Sequence, residues 1–160
     1  MGAKSICIAC AAVLLVVAGA EAQTPTQSPT QTQMQAPPKG SLYQRVGGYD
    51  TIAAMVDDFF ARMGTDDQLK RFFVDISDPE FRRVRHLTVD FICEKSGGPC
   101  FYTGRSMAES HKDLGITEAD WNRAGVLMGQ TLDMLGVQGE LREELGGFIS
   151  GLRDDIVTQE

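Results

Sequence analysis

The sequence predicts an all-α fold. Apolar residues recur at three- and four-residue intervals in several segments, and stretches rich in glycine separate these segments. No segment alternates polar and apolar residues for long enough to indicate a strand. With 160 residues, of which 42% are hydrophobic, the chain has enough apolar material for one domain with a core of ordinary size.

The first 22 residues follow the pattern of an export signal. Lys4 precedes an apolar run from Ile6 to Val17, and Ala20-Glu21-Ala22 has the small-x-small pattern of a cleavage site. The alternative is an uncleaved anchor, but the apolar stretch ending at Ala20 is about 15 residues, short of the ~20 that span a bilayer. We therefore predict that residues 1–22 are removed, that no stable membrane span remains, and that the protein is exported, either periplasmic or secreted.

Residues 23–40 are predicted to be a disordered linker. They are rich in Gln, Thr and Pro, have almost no apolar content, and carry no charge before Lys39. The folded domain is therefore expected over residues 41–160. The formal net charge of −7 comes from 22 acidic residues and 15 scattered basic ones, so we expect no nucleic-acid binding.

The first long helix is expected after Gly47-Gly48, with Asp50 as its candidate N-cap, and it is expected to end at Gly64-Thr65-Asp66-Asp67. Its apolar face carries Ile52, Met55, Val56, Phe59, Phe60 and Met63. After a short segment with Leu69, Phe72 and Phe73, a second long helix is expected to begin at Ser77-Asp78-Pro79. Gly97-Gly98-Pro99 is expected to stop that helix.

Three helices are expected in the second half of the domain. A short helix runs from Ser106 to His111 and is broken by Gly115. The next begins at Thr117-Glu118-Ala119-Asp120, which has the form of a capping box. The last is a single amphipathic helix whose apolar residues run from Leu141 to Ile156.

Two histidines, His86 and His111, are the main candidates for chemistry. Neither belongs to a recognisable Ser-His-Asp or Cys-His arrangement, which argues against a hydrolase. A lone histidine is usually structural, so only the surroundings of His111 make it a candidate ligand. Haem binding needs a neutral imidazole nitrogen directed at iron, an apolar slot for the porphyrin and polar groups at its rim.

Several short stretches occur in an order typical of a known family. They are Leu42-Tyr43 with Gly47-Gly48-Tyr49, Val56 to Phe60, Leu69 to Phe73, Gly97-Gly98-Pro99 with Tyr102 to Arg105, Met107-x-x-x-His111, Gly115-Ile116-Thr117 and Leu152 to Val157. On these stretches the chain resembles a group I truncated haemoglobin from Leu42 to Val157. Each stretch alone is weak, and the order and spacing carry the resemblance.

The resemblance implies a two-over-two helical sandwich that holds haem b. It implies that His111 is the proximal ligand to iron and that Phe73 is an aromatic wedge against the porphyrin. The other residues expected to line the haem pocket are Phe60, Val84, Leu87, Thr88, Met107, Ile116 and Trp121. Arg82, Arg85 and Arg105 are candidates for the propionates, and the sequence does not single one out.

The distal side departs from the pattern of the family. Such globins commonly have a tyrosine where this chain has Phe60, and polar residues, often glutamine, where it has Val84 and Thr88. Phenylalanine cannot donate a hydrogen bond, and the Thr88 hydroxyl has its own helix carbonyl as an alternative acceptor. His86 lies about 200° around the helix from Val84, which predicts a rim or surface histidine; a distal role is the alternative.

Cys93 and Cys100 are the cysteines that remain after cleavage of the signal. An exported protein can keep a disulfide, and Ser96-Gly97-Gly98-Pro99 lies between them as a candidate turn. Spacing alone does not fix their separation, so a disulfide and a pair of buried thiols both remain open.

The sequence therefore predicts a haem protein that reversibly binds oxygen or another diatomic ligand, such as nitric oxide or carbon monoxide, and that depends on an unidentified reductase. One alternative is a haem-dependent nitric oxide dioxygenase or peroxide-handling enzyme. The other is a haem-free exported module with a redox-active Cys93/Cys100 pair.

Overall fold

The computed structural model describes residues 40–159. Within that range the chain is helical and forms no strand, and one isolated bridge pairs Thr117 with Gln159. The helices are α1 (Leu42–Val46), α2 (Gly48–Thr65), a 3₁₀ helix (Lys70–Phe73), α3 (Asp78–Lys95), α4 (Met107–His111), α5 (Glu118–Met134), α6 (Gly139–Ser150) and α7 (Arg153–Ile156). The all-α prediction is confirmed.

The predicted signal peptide, residues 1–22, and the predicted linker up to residue 39 lie outside the described residues. Between residues 40 and 159, no helix has the length and apolar character that crossing a membrane requires.

Local sequence determines where most helices begin. The side chains of Ser41, Ser77, Ser106 and Thr117 each accept a hydrogen bond from a backbone N–H of the following helix. At Thr117 the capping box is complete, because the Asp120 carboxylate accepts a hydrogen bond from the Thr117 N–H in return. The predicted starts at Ser77 and Thr117 are therefore confirmed.

Two details of the helix prediction are wrong. Asp50 does not cap the first long helix, because Gly47 adopts a left-handed φ of 104° that ends α1 and lets α2 begin at once. Asp50 lies inside the first turn of α2. The last helix is not continuous either: the Leu152 N–H donates to the Ile149 carbonyl, a three-residue bond, and the chain turns between α6 and α7.

The core forms where α2 packs against α3 and α5, with α1 against α6. Its most deeply buried side chains come from α2, α3, α5 and α6, and they include Ile52, Met55, Val56, Val89, Cys93, Thr131 and Leu145. Leaving these side chains in water would cost about 1.5–3 kcal/mol for each large aliphatic residue.

A disulfide joins Cys93 to Cys100, whose Cα atoms are 5.7 Å apart. This separation is ordinary for a disulfide. The structure thus has the bridge and not two separate thiols. Cys93 is fully buried in α3, so the bridge attaches the loop before α4 to the core.

Candidate haem site

A cavity of about 790 Å³ lies between α2 and α3 on one side and α4 and α5 on the other. Its volume falls in the range that holds drug-sized ligands and cofactors. Every residue that the sequence analysis assigned to a haem pocket lines it: Phe60, Phe73, Val84, Leu87, Thr88, Met107, His111, Ile116 and Trp121. Most of the remaining lining is hydrocarbon, as a porphyrin ring requires.

His111 is the last residue of α4 and is half-buried at the cavity wall. Its Nδ1 lies 2.8 Å from the Met107 carbonyl oxygen. A carbonyl oxygen only accepts hydrogen bonds, so we assign the imidazole proton to Nδ1. In the neutral imidazole the lone pair is then on Nε2, which is the arrangement of a metal-ligating histidine with its second nitrogen held by the backbone.

The short helix α4 is held at both ends. Ser106 and Glu109 form a capping box at its start. Beyond its end, the Ile116 carbonyl accepts hydrogen bonds from the N–H groups of Thr158 and Gln159, at 2.9 and 3.1 Å. α4 also packs against α7. These contacts fix the position of His111 although α4 has only five residues.

An aromatic cluster forms part of the opposite wall. The ring of Phe60 lies 5.9 Å from that of Phe73 and 5.8 Å from that of Phe81, centroid to centroid, and both pairs are tilted. Such contacts contribute about 0.5–1.5 kcal/mol each beyond burial. They hold Phe60 and Phe73 in fixed positions at the cavity surface.

Thr88 does not offer its proton to the cavity. Its Oγ1 donates to the Val84 carbonyl oxygen four residues back, at 2.9 Å. This bond to its own helix is the alternative acceptor expected from the sequence. His86 lies on the surface, with its side chain 64% exposed and its Nε2 3.6 Å from a carboxylate oxygen of Asp90. The helical geometry predicted this outward position.

The basic groups at the cavity are Arg83, Arg105 and Arg142. Of the three arginines weighed from the sequence, Arg105 lines the cavity. Arg85 instead donates from Nε and Nη2 to Asp57 of α2, at 2.7 Å each. The sequence analysis missed Arg83, although its spacing of four residues from Leu87 is a signal that it shares that face.

Tyr102 also lines the cavity and was not assigned to it. Its hydroxyl donates to the Arg105 carbonyl oxygen at 2.6 Å, and its ring packs edge-on against Phe91 with centroids 5.2 Å apart. Burial raises the pKa of this hydroxyl, so it stays protonated.

A family model described as "Bacterial-like globin" matches residues 41–158. This chain belongs to the bacterial-like globins. Among its relatives are the group 1 truncated haemoglobins of Mycolicibacterium paratuberculosis and of Synechocystis sp. The first is 32% identical over 120 residues, which cover 75% of this chain and 86% of the relative. The second is 30% identical over 109 residues, which cover 66% and 86%.

Solved structures confirm the truncated globin fold. The Fe(III) form of the truncated haemoglobin of Tetrahymena pyriformis is 26% identical with a TM-score of 0.67, over 74% of this chain and 98% of that one. The 2/2 haemoglobin of Synechococcus sp., in the cyanomet state and with covalently attached haem, is also 26% identical. Its TM-score is 0.68, over 75% of this globin and 100% of that chain. The two-over-two helical sandwich inferred from the sequence is therefore confirmed.

Proposed function

We propose that this globin binds haem b, with Nε2 of His111 as the protein ligand to iron, and that it reversibly binds oxygen or another diatomic gas. The observation that carries the proposal is the bond between Nδ1 of His111 and the Met107 carbonyl. It places the proton of the neutral imidazole on Nδ1 and the lone pair on Nε2, in a residue at the wall of a large apolar cavity. Membership of the globin family supports the same assignment. When bound, haem supplies the iron coordination position at which a diatomic gas binds.

The residues around the cavity suit the parts of haem. Phe60, Phe73 and Trp121 offer apolar surface to the ring, and they exclude water from it. Arg83 and Arg105 are guanidinium groups at the same cavity and would neutralise the propionates. A diatomic ligand would occupy the side that faces α2 and α3, across the cavity from His111.

Export to the periplasm or the medium is part of the proposal. It rests on residues 1–22, and the Cys93–Cys100 disulfide supports it because such bonds persist in oxidising compartments. Haem iron that oxidises there has to be reduced before it binds oxygen again. We therefore include an electron-donating reductase among the partners.

Haem titration of the purified protein tests the proposal. We expect the wild type to give a Soret band that shifts on reduction and again on addition of carbon monoxide. His111→Gly should lose the wild-type spectrum and regain it with added imidazole, which supplies the missing ligand. The matched control His86→Ala should behave as the wild type, because His86 points outward.

Two results would contradict the proposal. Wild-type protein that takes up no haem would favour a haem-free module with the Cys93/Cys100 pair. A His111→Gly variant with the unchanged wild-type spectrum, without imidazole, would show that another group ligates the iron.

A further inference from the structure

We propose that the wall formed by α2 and α3 selects for carbon monoxide and nitric oxide over oxygen, because Phe60 and Thr88 leave the less exposed part of that wall without a free hydrogen-bond donor. The inference rests on the proposed haem function and adds to it the class of ligand that this site favours.

Phe60 lines this wall from α2. Its side chain is buried, with a residue exposure of 8%, and the rings of Phe73 and Phe81 pack against it. Rotation out of the cavity would break both ring contacts and leave a void. The wall therefore presents the hydrocarbon edge of the Phe60 ring in a fixed position. A tyrosine at this position would present a hydroxyl donor instead.

Within residues 40–159, α2 and α3 contribute three polar side chains to the cavity lining, those of Glu80, Arg83 and Thr88, and of these only Thr88 is not mostly exposed. Its hydroxyl has one proton, and the hydroxyl donates that proton in a hydrogen bond to the Val84 carbonyl oxygen. The oxygen then offers only lone pairs to the cavity. A ligand that carries negative charge is not stabilised by such a group.

The other polar groups that α3 and the loop after it contribute to the cavity are exposed or already paired. Glu80 and Arg83, at the start of α3, have side chains that are 55% and 60% exposed, and they lie 3.6 Å apart at the solvent side. The Tyr102 hydroxyl donates a hydrogen bond to the Arg105 carbonyl oxygen. His111 and Trp121 belong to α4 and α5, on the other side of the cavity.

This arrangement distinguishes the gases by their charge. Oxygen bound to ferrous haem carries partial negative charge and is stabilised by a donor, whereas carbon monoxide and nitric oxide remain nearly neutral and gain little. A charge-assisted hydrogen bond slows dissociation by roughly ten- to a hundred-fold. Without one, oxygen should leave fast while carbon monoxide binding is hardly affected.

The test compares ferrous wild-type holoprotein with Phe60→Tyr, which adds one hydroxyl to the existing ring. We expect oxygen dissociation, measured by displacement with carbon monoxide in a stopped-flow instrument, to slow by roughly ten- to a hundred-fold. Carbon monoxide dissociation should change by less than about three-fold. The C–O stretching frequency of the carbon monoxide complex gives a readout independent of rates, and it should fall in the variant because a donor polarises the bound ligand.

Two further variants and one control complete the design. Thr88→Val removes the hydroxyl and tests whether its proton, which is hydrogen-bonded to the Val84 carbonyl, ever reaches the ligand. His86→Ala, on the exposed side of α3, is the control and should release oxygen at the wild-type rate. Val84→Gln adds a donor at a half-buried site on α3 and should also slow oxygen release. This second donor variant keeps the test available if Phe60→Tyr does not fold.

The proposal would be overturned by a wild type that already releases oxygen as slowly as the donor-containing variants, or by donors that change no rate. It would also be overturned by a ten-fold faster release in Thr88→Val, which would show that the hydroxyl reaches the ligand. Failure of the haem proposal is distinguishable, since no Soret band would form in any variant.

Discussion

The Arg71 guanidinium donates from Nη2 to Oδ2 of Asp120, 2.7 Å away, and so joins the 3₁₀ helix to the first turn of α5. The same carboxylate accepts hydrogen bonds from Gln68 and from Thr117. The Asp120 side chain is 3% exposed, whereas that of Arg71 is 50% exposed. Because Phe73 lies two residues after Arg71 and Trp121 lies directly after Asp120, this interaction fixes two parts of the cavity wall relative to each other.

Asp120→Asn should make the free energy of unfolding depend less on pH in the acidic range. Burial alone would raise the pKa of Asp120, but the hydrogen bonds from Gln68, Thr117 and Arg71 hold it well below its ordinary value. A lowered pKa in the folded state contributes stability above the unfolded pKa of about 3.9, and that contribution is lost as the pH falls below it. Urea unfolding at pH 7 should show a loss of about 1–3 kcal/mol in the variant, shrinking towards pH 3.

The exposed residue Asp113 provides the control for this comparison. Asp113→Asn should keep the acid dependence of the wild type. If Asp120→Asn also kept it, the carboxylate of Asp120 would not be the group that links stability to pH.

Thr131→Val should destabilise the contact between α2 and α5. Thr131 is fully buried and its hydroxyl donates to Oδ2 of Asp58 at 2.6 Å. Hydrogen bonds to charged groups contribute about 1.5–3 kcal/mol. Thr131→Ser keeps the donor and loses one methyl group, about 0.8 kcal/mol. Chemical denaturation should therefore rank the wild type above Thr131→Ser and Thr131→Ser above Thr131→Val; a reversal of the last two would be evidence against this account.

Removal of the Cys93–Cys100 disulfide should lower the free energy of unfolding by about 2–3 kcal/mol, since the bridge restricts the unfolded chain. The double variant Cys93→Ala/Cys100→Ala should unfold at a lower temperature than the oxidised wild type. Dithiothreitol should lower the unfolding temperature of the wild type towards that of the variant, and it should leave the unfolding temperature of the variant unchanged. Equal melting of oxidised and reduced wild type would show that the bridge adds no stability.

Gly98→Ala should destabilise the turn after α3. A Cβ atom at Gly98 would lie 2.5 Å from Cδ2 of Tyr43 and 2.8 Å from the Cys93 carbonyl oxygen, and a backbone atom cannot easily move aside. Gly147 of α6 is the matched control, because a Cβ there meets nothing within 4 Å. Gly147→Ala should stabilise by about 0.5–1 kcal/mol in thermal melts. Equal shifts in both variants would refute the steric argument.

The parts of the structure that the sequence predicted depend on neighbouring residues. Ser77 and Thr117 mark helix starts because a cap bonds within its own first turn. These relationships need no knowledge of the rest of the fold. The assignment of His111 to the iron is different, because it came from the family resemblance and not from its local spacing to Met107.

The features that were missed depend on contacts between distant segments. The junction of α1 and α2 at Gly47 is accompanied by a hydrogen bond from the Tyr43 N–H to the Ser96 carbonyl, which no local pattern indicates. Arg85 donates to Asp57 of another helix, a distant partner that no local pattern indicates. The disulfide was left open because spacing does not give a distance.

The paired hydrogen bonds at the Ile116 carbonyl connect Thr158 and Gln159 to the proposed haem site. Isolated helices as short as α4 are not stable in water, so the orientation of His111 depends on its neighbours. Thr158 and Gln159 supply two of these contacts from the far end of the sequence. Proteolytic trimming or a fused tag at that end would therefore disturb the proposed iron ligand first, and altered spectra would appear before any loss of helix content.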